Sequence, residues 1–166
     1  MLMKIGIISD THGYFHPDLF SFFEKCDEIW HAGDIGNTDI LDDLKLIAPV
    51  RAVYGNCDDW DVREQTSESL VFQCEEHKVA LMHIVGNGNY YTTPAMNIIL
   101  QEKPTIFVAG HSHILKVVKD QKYGHWFINP GSASRFGHHT RLTFLRLDIE
   151  GKELRNLEIF DEPKFG

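Results

Sequence analysis

Asp10 and His12 stand two residues apart where an apolar run, Lys4-Ile5-Gly6-Ile7-Ile8, comes to an end. A carboxylate oxygen beside an imidazole nitrogen is a mixed donor set suited to Mn, Fe, Zn or Ni. Alone, an Asp-x-His pair is common and reads first as an ordinary loop. Here the pattern repeats. Later apolar runs end at Gly33-Asp34, at Gly55-Asn56, at His83 and at Gly110-His111-Ser112-His113. Taken singly, Asn56 reads as a turn residue, Asp34 as a turn or cap residue, and His83 as a core histidine with a satisfied hydrogen bond. Taken together, Asp10, His12, Asp34, Asn56, His83, His111 and His113 place donor groups at five successive strand ends. Seven donors exceed what one tetrahedral ion takes. They suit two ions of higher coordination that share one carboxylate. Two cations about 3.5–4 Å apart are a standard device for in-line displacement at phosphorus.

Such a cluster needs strands that stop on one rim. Lys4 to Ile8, Glu28 to Ala32 and Val50 to Tyr54 read as strands, with helices expected between them from Pro17 to Cys26 and from about Thr38 to Ile47. On the first helix Leu19, Phe20, Phe22 and Phe23 form the apolar face; on the second, Ile40, Leu41, Leu44 and Ile47. This alternation argues for an α/β layered fold, whose ligands sit at the carboxyl ends of strands. A hairpin of Ser69–Gln73 with Lys78–Met82 follows, turning around Glu75-Glu76. Next come a Gly-, Asn- and Tyr-rich loop (86–91), a helix over Pro94–Lys103 with Met96, Ile99 and Leu100 inward, and a strand over Thr105–Ala109. The remainder reads as strands at Leu115–Lys119, Trp126–Ile128, Leu142–Ile149 and Glu153–Phe160, the last two a hairpin. No repeat or linker interrupts the chain, so one domain over residues 1–166 is expected, with two sheets and helices outside them.

Composition narrows the function. Of 166 residues, 43% are hydrophobic, enough for a core, and no run approaches the ~20 apolar residues of a membrane span. Met1-Leu2-Met3-Lys4 leads straight into the first strand and leaves no room for a signal peptide. Cys26, Cys57 and Cys74 lack Cys-x-x-Cys spacing, which favours a reduced, cytoplasmic protein over a disulfide framework or structural zinc. The net charge of −8 disfavours capture of duplex nucleic acid. A small phosphate ester remains acceptable, because bound cations dominate the local field.

The ordered set Asp-x-His, Gly-Asp, Gly-Asn, His, Gly-His-x-His resembles the calcineurin-like metallophosphoesterase superfamily. The short chain, Gly-Asn-Cys-Asp, Gly-His-Ser-His and Asn129-Pro130-Gly131-Ser132 resemble its small prokaryotic YfcE-like phosphodiesterases. The resemblance implies a four-layer α/β/β/α sandwich of two mixed sheets. It also implies that Asp10, His12 and His113 bind one metal, that Asn56, His83 and His111 bind the other, and that Asp34 bridges them, with a bridging hydroxide as nucleophile. Asp34, Asn56 and His83 are then the catalytic residues. The cofactors are two divalent transition-metal ions, Mn first, with Ni, Fe or Zn as alternatives. The reading is a phosphodiesterase on a small phosphate ester, without duplex nucleic acid or membrane as partner and with a homo-oligomer left open. Its alternatives are a phosphomonoesterase or pyrophosphate hydrolase on the same site, or a non-catalytic scaffold resembling the retromer sorting subunit.

Two departures stand out. Many relatives carry a histidine after the Asn, thought to protonate the leaving group; here that residue is Cys57, a poor acid at neutral pH. His16, His138 and His139 are the other proton donors to consider, each reading first as a solvated loop residue. After His83 the chain continues Ile84-Val85-Gly86-Asn87 where relatives often have Gly-His. Tyr90 and Tyr91 in that loop suit either an aryl pocket or surface packing. Asn129 to Ser132 reads first as a turn, with Arg135 as a possible anion contact, and Trp30, Trp60 and Trp126 as core or rim aromatics.

Overall fold

A computed structural model describes residues 1–165 of the chain. The first strand, β1 (Leu2–Ile8), shows how the layers arise. Ile5 and Ile7 point into a core shared by both sheets, and Ile8 points into a second core beneath helices. A slip of one residue would exchange these faces, so burial on both sides sets the register.

Around β1 lies a five-stranded mixed sheet in the order β10-β9-β1-β2-β3. β2 (Glu28–His31) and β3 (Val50–Ala52) run parallel to β1; β9 (Arg141–Glu150) and β10 (Glu153–Pro163) form the antiparallel flank. The second sheet has the order β4-β5-β6-β8-β7. Its strands β5 (His77–Met82), β6 (Ile106–Val108) and β8 (Trp126–Pro130) are parallel, with β4 (Ser69–Cys74) and β7 (Leu115–Lys119) antiparallel at its edges. Trp30, Leu81, Val108, Ile128 and Leu145 fill the space between the sheets. Helices α1 (Leu19–Phe23), α2 (Thr38–Lys45) and α3 (Trp60–Gln65) pack Leu19, Phe23, Ile40, Leu41, Leu44 and Val62 outside the first sheet. Helix α4 (Thr93–Glu102) packs Ala95 and Ile99 on Phe107 and Phe127 outside the second. The architecture is the expected four-layer α/β/β/α sandwich. Among the described residues no helix is long and apolar enough to cross a membrane.

Several boundaries differ from expectation. α1 begins after Pro17 and is only five residues long. Phe20 is exposed, because positions 19, 22 and 23 already take the inward face and position 20 lies a third of a turn away. Leu100 is exposed for the same reason, one step beyond Ile99. α2 ends at Lys45 rather than Ile47. β3 stops at Ala52, and Val53 bridges to Ser67 instead. β8 runs on to Pro130 because β7 pairs with it as far as Leu115 opposite Pro130. Helix α3 was not expected; its one buried side chain, Val62, leaves no apolar periodicity to read.

Candidate metal centre

Parallel strands β1, β2 and β3 of one sheet and β5 and β6 of the other release their chains at one rim. The loops after β1 and β2 are joined main chain to main chain: Asp10 N–H donates to Gly33 O (2.9 Å), His12 N–H to Asp34 O (3.0 Å) and Gly13 N–H to Ile35 O (2.8 Å). Gly110 N–H donates to His83 O (3.0 Å) in the second sheet, and His111 N–H donates to Asp10 Oδ2 (3.1 Å), tying the sheets together. Asp10, His12, Asp34, His111 and His113 all have positive φ, between 44° and 73°. Such backbone is uncommon outside glycine and concentrates at functional sites. Gly55 is required by proximity: a Cβ there would lie 2.1 Å from Asp34 Oδ1.

All seven expected ligands come together. Asp10, His12 and His113 present ligand atoms within 4.8 Å of one another, and so do Asp34, His83 and His111. His113 Nε2 lies 3.1 Å from Asp10 Oδ1. Asp34 Oδ2 joins the clusters, 3.2 Å from His83 Nε2 and 3.8 Å from His12 Nε2. Asn56 Oδ1 meets His111 Nδ1 at 3.1 Å. His83 Nδ1 donates to Ala32 O (2.7 Å), which leaves Nε2 with its lone pair. His12 Nε2 and His83 Nε2 are buried with no hydrogen-bond partner. Nitrogen atoms in that state, beside carboxylates, fit a divalent ion.

The electrostatics agree. Burial alone would raise the Asp10 carboxyl, but His113, His12, His83 and Ser9 outweigh it and hold the group far below the usual carboxylate range. Asp34 is also lowered: burial opposes this, while His83 and the Cys57 N–H, which donates to Oδ1 at 2.8 Å, prevail. His83 is raised despite its burial, through Asp34 and Asp10. His111 is lowered by burial and by the neighbouring His83. Cys57 is exposed, and its thiol is pushed up by desolvation and by the charge of Asp34.

Behind the candidate ligands stand residues whose supporting role no local sequence pattern shows. The buried Asp58 carboxylate accepts from Gly55 N–H (2.8 Å), Gly36 N–H (2.9 Å) and Ile35 N–H (3.1 Å), fastening the Asn56 loop to the Asp34 loop. His31, fully buried, accepts from Gly33 N–H at Nδ1 (3.1 Å) and donates from Nε2 to Thr11 Oγ1 (2.9 Å), whose own proton goes to Ile35 O. The bond accepted at Nδ1 needs the neutral ring, and burial pushes its pKa down to about 4. Asn129 to Ser132 is neither an exposed turn nor an anion loop but a buried support. Asn129 Nδ2 donates to Gly110 O (3.0 Å) and Ser112 Oγ (3.1 Å), and Ser132 Oγ donates to Asp10 O (2.9 Å).

Other expectations resolve unevenly. A cleft of about 530 Å³ is lined by His12, Asp34, Asn56, Cys57, His111, His113, Phe136, His138 and His139, among others. His16 is elsewhere, buried against Phe144 and Phe160 and bonded to Glu162 Oε1 at 2.5 Å. Tyr91 is buried and bonded to Asp120 and His125, and Tyr90 is exposed; neither lines the cleft. Arg135 lies over the Tyr14 ring, and Trp60 is exposed rather than a core residue. A side cavity of about 230 Å³ on the Asn56–His83 flank holds Tyr54, Arg63 and Glu68.

Comparison with known proteins accords with this geometry. The family model of the calcineurin-like phosphoesterase superfamily domain matches residues 3–152. A probable metallophosphoesterase of Methanothermobacter thermautotrophicus is 31% identical over 92% of this chain and 89% of its own length. The chain belongs to the calcineurin-like phosphoesterase superfamily, whose members use divalent metal ions. Among solved structures, an archaeal phosphodiesterase superposes with a TM-score of 0.73 at 22% identity, covering 95% of this chain and 100% of that one. Vps29 of Entamoeba histolytica, solved with zinc, superposes with a TM-score of 0.73 at 22% identity, covering 98% of this chain and 99% of that one. At such identities these likenesses establish the fold.

Proposed function

We propose that this chain is a metal-dependent phosphodiesterase acting on small phosphodiesters at a dinuclear centre. Asp10, His12 and His113 would hold one ion, Asn56, His83 and His111 the other, and Asp34 would touch both. The observation that carries the reading is the pair of buried, unpartnered nitrogens at His12 and His83, set 3.8 and 3.2 Å from the same Asp34 oxygen. A buried polar group left without a partner costs about 1–3 kcal/mol, which a cation taking the lone pairs would offset.

Divalent cations held there would supply positive charge against the phosphoryl oxygens and would lower the pKa of shared water. The chain does the rest. Asp10, held ionised by its neighbours, keeps a charged ligand at every working pH. Asn56 adds a donor without charge, so the centre retains net positive charge for an anionic ester. His111 and Asn56 stand at the exposed rim, where an ester would enter. The cleft suits a small molecule rather than a polymer. Cys57 donates its amide to Asp34, and its thiol is too weak an acid to protonate a leaving group, so esters with good leaving groups are preferred. Manganese is the first choice of metal, with Ni, Fe or Zn as alternatives, and the expected location is the cytoplasm. Duplex nucleic acid is not an expected partner.

The test is an assay of bis(p-nitrophenyl) phosphate, p-nitrophenyl phosphate and pyrophosphate with Mn, Ni, Zn, Fe and Mg in turn. Metal-dependent turnover with the diester fastest is the expected result. A faster monoester or pyrophosphate reaction would move the assignment to a phosphomonoesterase or pyrophosphatase. The fold likeness to Vps29 favours a second reading, a non-catalytic scaffold. An inactive protein that takes up no metal after reconstitution with Mn would establish it.

A further inference from the structure

His113 and His139 face each other through their Nδ1 atoms at 3.0 Å, with rings nearly perpendicular at 89°. Two N–H groups or two lone pairs in that position would repel, so one ring donates and the other accepts. The second nitrogen of His139 decides which. His139 Nε2 lies 2.9 Å from the Ser134 carbonyl, which can only accept, so Nε2 carries the proton. Nδ1 of a neutral His139 is then an acceptor and His113 Nδ1 is the donor, so that a cation between His113 Nε2 and Asp10 Oδ1, 3.1 Å apart, would take the remaining lone pair of His113 in place of a proton on Nε2.

The loop around His139 is built for this contact. Ser134 is buried, and its hydroxyl meets that of Ser132, which bonds the Asp10 main chain. Gly137 has φ +107°, and a Cβ there would lie 2.6 Å from His113 Nδ1, so no other residue lets the loop come so near. Phe136 covers the His12 ring with centroids 4.6 Å apart.

We infer that His139 is a positioning residue for the metal centre: it fixes the His113 tautomer so that Nε2 faces the ion held with Asp10 and His12. The inference rests on the dinuclear reading above. Groups that orient a ligating histidine typically contribute 10–100-fold in metal affinity. His139 does this as an imidazole borrowed from a surface loop, whereas His83 relies on the Ala32 carbonyl inside the sheet.

The experiment is a zinc titration by calorimetry, with ring ¹⁵N spectra of the histidine-labelled, zinc-loaded protein. Wild type should bind two equivalents, with His113 protonated at Nδ1 and His139 at Nε2. His139→Leu should weaken one equivalent by about 10–100-fold and spare the other. His139→Asn, which returns an acceptor oxygen near the Nδ1 position, should recover most of the loss. Two tightly bound zinc ions with the opposite tautomers, or with unchanged affinity in His139→Leu, would overturn this role and leave the centre standing. A wild-type protein that binds no zinc would overturn both. The spectra need only wild type, so a poorly folded variant does not block the test.

Discussion

The ligand loops of the two sheets are held in different ways. After β1 and β2, three main-chain bonds cross from loop to loop, His31 bonds a main-chain amide inside them, and the buried Asp58 fastens the β3 loop to the β2 loop through main-chain amides. After β6, one main-chain bond joins the loops, Gly110 N–H to His83 O, and the His111–His113 stretch beyond it leans on side chains: Asn129 beneath it, Asp10 Oδ2 against it and His139 beside it. In the first sheet, placing the ligands and folding the sheet are one event. In the second, geometry can be lost while the fold survives. Substitutions behind the first sheet's loops should therefore register in stability, and those behind the second sheet's loop in metal affinity.

The largest effect is expected where the halves meet. Asp34→Gly removes the carboxylate that lies within reach of both clusters and should lower kcat/KM by more than about 100-fold in the diester assay. Asp58→Ala strands buried amides and should cost about 2–4 kcal/mol in denaturant unfolding. Retention of full stability would break the comparison. The pH profile of stability sharpens it. His31 is neutral in the fold with a pKa near 4 and has about 6.5 when unfolded. Its contribution is complete above about pH 6.5 and is lost as pH falls towards 4, on the order of 3 kcal/mol. His31→Asn should flatten that slope in urea melts at pH 7 and pH 5. Asn129→Ala should weaken metal uptake about tenfold while shifting the melting temperature less than Asp58→Ala does; the reverse ranking would refute the proposed division. The smallest effect is expected for Cys57→His, which should keep diester activity and raise turnover of poor leaving groups. Complete loss of activity would show that Cys57 has a role of its own.

The strands and their seven terminal donors could be read from the chain because each apolar run stops at a polar residue, and Asp10 and His12 stop the first. The supports could not be read. Asp58 reaches back 23 residues to Ile35 and Asn129 reaches 19 to Gly110, separations that no local pattern encodes. Helix α3 gave one usable sign, Asp59 at its N-cap accepting from Val62 N–H, but only one buried apolar residue follows. His139 looked like any loop histidine, since its value lies in an imidazole 26 residues away.

The five candidate ligands in left-handed backbone carry a practical lesson for anyone who wants an inert copy of this protein. Alanine at Asp10, His12, Asp34, His111 or His113 would remove a donor yet keep a Cβ where the main chain tolerates it poorly, at about 1 kcal/mol or more per position. Glycine at the same places suits the curvature of the loops and brings no donor of its own. A silent control built from glycine would separate lost chemistry from a damaged frame, which an alanine scan would merge.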